Sequence, residues 1–118
     1  MNISFDFKNK TNIHDILDIM YQTINDLWGA EIMHRGRRDK EVWDAYYDDL
    51  FCVLTDSDFI ARFGNKIHFI LKGLSELKKE EPENYKMFLE STIGYQVEEI
   101  ATNKYVNGKV SFSYEIQQ

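Results

Sequence analysis

The stretch Ala101–Ile116, ATNKYVNGKVSFSYEI, decides how this chain is read. Asn107-Gly108 stands between two runs of strand-forming residues, and Asn-Gly suits a two-residue type I′ turn because both central positions take positive φ. Val110, Phe112, Tyr114 and Ile116 recur at every second position, the period of a strand with one buried face. The pattern predicts an antiparallel hairpin of 101–106 with 109–116. Tyr105, Asn103 and Ala101 then lie opposite Val110, Phe112 and Tyr114 on one face. A lone hairpin is marginal in water and calls for a third strand. Residues 2–8 supply it, because Ile3, Phe5 and Phe7 alternate with Asn2, Ser4 and Asp6.

Between these termini the period is helical. Thr11 or Asn12 can cap a helix over 12–28 whose apolar positions are Ile13, Ile16, Leu17, Met20, Ile24 and Leu27, with Gly29 just past its end. Residues 30–38 lack a clean period and read as a basic loop with Arg35, Arg37 and Arg38. Asp39 can cap a second helix over 40–54, and Asp56 to Asp58 can end it and cap a third. The third is expected over 58–79, with Phe59, Ile60, Phe63, Ile67, Ile70, Leu71, Leu74 and Leu77 inward and a break at Gly64-Asn65. A solvated connection at 78–83 leads to Pro82, which suits the first turn of a fourth helix over 82–92 bearing Tyr85, Phe88 and Leu89. The expected fold is α+β, with about four helices on a three-stranded antiparallel sheet of the N-terminal strand and the C-terminal hairpin.

A chain of 118 residues is one domain by length and buries about two-thirds of its unfolded surface on folding. With 43% hydrophobic residues and one proline it reads as globular, not as a linker or disordered tail. Met1–Lys10 lacks the pattern of a secretory signal, and no apolar run is long enough for a bilayer, so a soluble, cytoplasmic protein is expected. The single cysteine, Cys52, permits neither an internal disulfide nor a metal knuckle.

Asp39 to Asp58 holds seven acids and one base, a balance of −6 that equals the net charge of the whole chain. That excess, with a pI near 5.0, weighs against nucleic acid as the main partner, since such binding depends on clustered Lys and Arg. On a helical wheel Trp43, Tyr46, Tyr47, Leu50, Phe51 and Leu54 share one face, and Glu41, Asp44, Asp48, Asp49 and Cys52 fall on the other. Acids beside aromatic anchors suit a surface that holds a basic protein. The candidate partner-binding residues are therefore Glu41, Trp43, Asp44, Tyr47, Asp48 and Asp49.

Other constellations fall short of a reaction. His14 and Asp18 stand one helical turn apart, but two groups are fewer than the three or four ligands that zinc takes. Asp56-Ser57-Asp58 is followed by Phe59 and Ile60 where a calcium loop needs an acid or amide and a glycine. Cys52 shares its helix face with Asp48 and Asp49 and reads as a structural or incidental cysteine. Gly64-Asn65-Lys66 lacks the upstream glycine of a phosphate loop, and no serine elbow is present. Arg35-Gly36-Arg37-Arg38 could grip phosphate or could balance the acids that follow it. No catalytic residue, metal site or cofactor is expected, and no enzyme activity.

In type, the chain resembles the small immunity proteins that neutralise bacterial contact-dependent or colicin-type toxins, which are short, acidic, aromatic-rich and without catalytic apparatus. No family motif carries this likeness, so no site residue follows from it. It implies a protein that blocks a toxin, such as a nuclease, by occluding its basic substrate cleft. The alternative is another acidic binding protein, such as a phage-encoded inhibitor of a host nucleic-acid enzyme.

Overall fold

The computed structural model describes residues 1–33, 42–106 and 108–117, with the backbone alone for 42–45. In chain order the elements are strand β1 (Asn2–Asp6), helix α1 (Ile13–Trp28), α2 (Val42–Leu54), α3 (Ser57–Phe63), strand β2 (Lys66–Lys72), α4 (Ser75–Glu80) and α5 (Pro82–Lys86). A π-helical segment (Met87–Gly94) runs on into α6 (Tyr95–Thr102), and strand β3 (Ser111–Gln117) follows.

The sheet corrects the expected fold. Its order is β1-β2-β3 and both pairings are parallel, so an α+β fold stands but the antiparallel three-stranded sheet does not. The C-terminal hairpin does not form. Residues 101 and 102 close α6, residues 103–106 turn, and β3 pairs with β2 from Lys66↔Ser111 to Lys72↔Gln117. Gly108 has the positive φ, 80°, that the turn chemistry asked for, while Asn107 lies outside the described residues. The Asn-Gly signal reports local backbone chemistry, and strand pairing was decided elsewhere.

The helix expected over 58–79 is also replaced. α3 stops at Phe63, β2 occupies Lys66–Lys72, and α4 begins at Ser75. In β2 the residues Ile67, Phe69 and Leu71 are buried while His68 and Ile70 are half-buried on the other face. A central strand carries apolar residues on both sides, so Ile67, Ile70 and Leu71 mimic helical spacing. Phe69, which the expected helical set does not include, is buried, and Ile70, which it does include, lies half-buried on the open face.

Gly73 ends β2 with φ +81°, and a Cβ there would lie 2.9 Å from the backbone nitrogen of Lys8. Only glycine tolerates both conditions. Gly73→Ala is expected to lower stability by about 1–3 kcal/mol, read as a lower chemical-denaturation midpoint at unchanged slope.

The remaining elements follow local chemistry. Asn12 accepts the N–H of Asp15 at 3.0 Å and donates to its carboxylate at 2.9 Å, capping α1 as expected, and Gly29 closes it in the left-handed conformation. Asp56 caps α3 by accepting the N–H groups of Asp58 and Phe59. Glu81, expected in a solvated connection, instead accepts the N–H of Ile13 at 2.9 Å and the Asn84 amide at 3.0 Å.

Beyond α5, Phe88, Thr92, Gln96 and Ile100 are all buried. Their spacing of four exceeds the 3.6-residue period of an α-helix, and the wider π turn over Met87–Gly94 keeps them on one side. The helical stretch therefore runs well past the expected end at 92.

Strands that step in one direction with right-handed crossovers carry both crossovers on the same face of the sheet. Accordingly Ile3, Phe5, Phe7, Ile67, Phe69, Leu71 and Phe112 are buried, and Asn2, Ser4, Asp6, Ser113 and Glu115 are exposed on the opposite face. The core is a ladder of rings. Phe69 meets Phe5 and Phe112 edge-on, each at 4.8 Å, and Phe88 lies 6.3 Å from both Phe7 and Tyr46.

Candidate functional site

α2 spans Val42–Leu54, close to its expected 40–54, and divides its aromatic residues between core and surface. Tyr46, Leu50, Val53 and Leu54 are buried, and Phe51 packs half-buried against them. Tyr46 meets the Tyr21 ring at 5.6 Å, and burial pushes its hydroxyl pKa well up. This tyrosine is core. Asp48 and Cys52 are exposed on the outward face, Asp49 is half-buried, and Tyr47 sits at the margin between the two.

Among the other expected partner-binding residues, Trp43 and Asp44 lie in the first turn of α2, and Glu41 is outside the described residues. The basic run Arg35 to Arg38 is outside them as well. The structure therefore places Tyr47, Asp48 and Asp49 on the same short length of helix surface.

It also brings a second element to that surface. Gln96, fully buried, donates from Nε2 to the Tyr47 carbonyl at 3.1 Å and fixes α6 against α2. The neighbouring Tyr95 ring then lies 5.5 Å from that of Tyr47 with planes inclined by 50°, and Tyr95 is 51% exposed. Burial, aided by the charge of Glu99, by Tyr95 and by Asp48, pushes the Tyr47 hydroxyl up to about 12. At neutral pH it keeps its proton, so it can donate a hydrogen bond from within an acidic neighbourhood.

α2 contributes Asp44, Asp48 and Asp49 and α6 contributes Glu98 and Glu99, and neither helix carries a base. Of these, Asp48 and Glu99 act electrostatically on Tyr47, whose ring lies against that of Tyr95. The arrangement offers acceptors to Lys and Arg and apolar area to a side chain lying between them.

Tyr95, Glu98 and Glu99 are missing from the expected site residues, because the expected fourth helix stops at 92 and the expected strand begins at 101. A signal for them existed in the sequence. Ile93, Val97, Ile100 and Ala101 continue helical spacing past Gly94.

His14 and Asp18 are both half-buried on α1, and among the described residues no three potential metal ligands converge. No helix among the described residues is long and apolar enough to cross a membrane. No protein-family model, curated protein or solved structure matches the chain.

Proposed function

We propose that this protein binds a basic protein through the α2–α6 surface, and that the partner is a bacterial toxin domain, a nuclease, whose substrate cleft it occludes. The observation that carries the reading is that Tyr47, under the charges of Glu99 on α6 and Asp48 on α2, lies with its ring 5.5 Å from that of the exposed Tyr95. A nuclease cleft is lined with Lys and Arg because it must hold phosphates. Carboxylates on a rigid pair of helices present anions to the same groups, and the tyrosine pair supplies the low-entropy aromatic anchors that dominate interfaces. Inhibition then follows from occupancy alone. The protein needs no catalytic group, only a surface that substrate cannot displace.

Such a complex forms under electrostatic steering, because the acids are gathered on one surface and the partner is cationic. Where a toxin gene lies immediately upstream of this protein's gene, stopped-flow association with the nuclease domain it encodes is the test. Between about 50 mM and 500 mM salt the association rate is expected to fall by about tenfold or more. A rate independent of salt, or a nuclease that stays active when saturated with this protein, overturns the proposal.

A further inference from the structure

The sheet face that the helices leave open holds a second constellation, distant in sequence and close in space. His68 on β2 stands directly across from Ser113 on β3 in the parallel register, with Glu115 two residues further along the same strand. All three side chains project from the open face. The Nδ1 atom of His68 lies 2.7 Å from Ser113 Oγ, and its Nε2 atom lies 2.9 Å from Glu115 Oε1. A carboxylate can only accept, so Nε2 carries the ring proton. In the neutral imidazole Nδ1 is then left as an acceptor, and the serine hydroxyl donates to it.

This is a nucleophile, a base and an orienting carboxylate in hydrogen-bonded series, the arrangement that activates serine in acyl transfer. The two ring nitrogens serve in exchanged roles, which leaves the proton path unchanged. Hydrogen bonds from His68 and Gln117 hold the Glu115 carboxyl below the usual carboxylate range, so it stays ionised as the orienting group. Solvent reaches the trio, with 28% of the His68 side chain and 48% of that of Glu115 exposed. The half-buried Ile70, beside Glu115 in the register, adds an apolar patch.

We propose that Ser113 is an activated nucleophile that accepts an acyl group from activated carboxylic esters. In the step, Ser113 Oγ bonds to the acyl carbon, the ester C–O bond breaks, and the leaving alkoxide departs with that bond's electron pair. The serine proton passes to His68 Nδ1. His68 gives that proton up to the departing alkoxide or to solvent and is neutral again. Water then attacks the new ester, His68 takes a proton from the water and passes it to Oγ as the acyl C–Oγ bond breaks, and the carboxylic acid leaves and ionises in solvent. Nitrophenolate leaves an activated ester far more readily than the serine alkoxide leaves the acyl-serine, so hydrolysis is slow relative to acylation. The site shares no residue with the α2–α6 surface, and its test is independent of the partner proposed above.

p-Nitrophenyl acetate is the probe. With excess ester the parent chain is expected to release a burst of up to one equivalent of nitrophenolate followed by slow turnover, with the acetyl group mapped to Ser113 by peptide mass. Ser113→Ala removes the burst, and His68→Gln slows it by about 100-fold, the scale of a lost general base. Glu115 acts as a positioning residue: Glu115→Ala slows the burst by about tenfold, and Glu115→Asp, which restores a carboxylate acceptor, recovers it. The mapping uses the parent protein and so does not depend on how any variant folds. Acetyl groups spread over lysines or the other serines, or a burst in His68→Gln as fast as in the parent, make the trio a cross-strand hydrogen-bond strut and overturn the proposal.

Discussion

Phe69→Ala is expected to remove about 3–5 kcal/mol of folding free energy, the range for deleting a buried aromatic side chain. Phe69 is fully buried on the central strand, flanked by the rings of Phe5 and Phe112 at 4.8 Å on either side. Truncation therefore opens a cavity between two strands and loses two edge-to-face contacts at once. Domains of this size are stable by about 5–15 kcal/mol, so the variant falls near the limit of folding at room temperature. Ile70→Ala is the control, because its side chain lies half-buried on the open face and should cost no more than about 1 kcal/mol. Denaturant melts of the two variants decide the matter. A helix over 58–79 with Ile70 inward requires the opposite order of damage, and equal losses would remove the strand assignment.

The largest functional effect is expected from Asp48→Asn combined with Glu99→Gln. These carboxylates approach Tyr47 from two different helices, and Asp48 is exposed. Losing a charge paired with a buried partner Lys or Arg costs about 2 kcal/mol or more, so the double variant should bind about 1000-fold more weakly. Folding should change by less than about 1 kcal/mol, as at other surface sites. Isothermal titration against the cationic partner, with a thermal melt beside it, separates the two effects. If the double variant binds as tightly as the parent and still protects cells, the α2–α6 surface is not where the partner sits. The corresponding pair of single variants shows whether α6 contributes independently of α2.

Several elements were readable because their determinants are local. α1 carries its cap at Asn12, its apolar stripe and its terminating Gly29 within 18 residues, and all three act on the backbone beside them. α2 likewise shows its buried stripe and its acid ladder in one helical wheel. The acidic surface was therefore half legible, through Tyr47, Asp48 and Asp49. Its other half, Tyr95 and Glu99, depends on α6 being delivered against α2 by a π turn and a buried Gln96. No local period encodes that delivery.

What the amino-acid sequence determines by itself is where the acids gather, where helices are capped, and that Ile3, Phe5 and Phe7 make one face of a strand. These properties reside in neighbouring residues and the backbone between them. What only the tertiary structure decided is that β1, β2 and β3 run parallel with β2 in the centre, that Phe69 rather than Ile70 faces the core, and that His68 meets Ser113 and Glu115. The physical reason is that parallel strands are joined by long crossovers, so partners stand tens of residues apart, and the pairing is chosen by which arrangement buries the Phe5, Phe69 and Phe112 rings together under the helices.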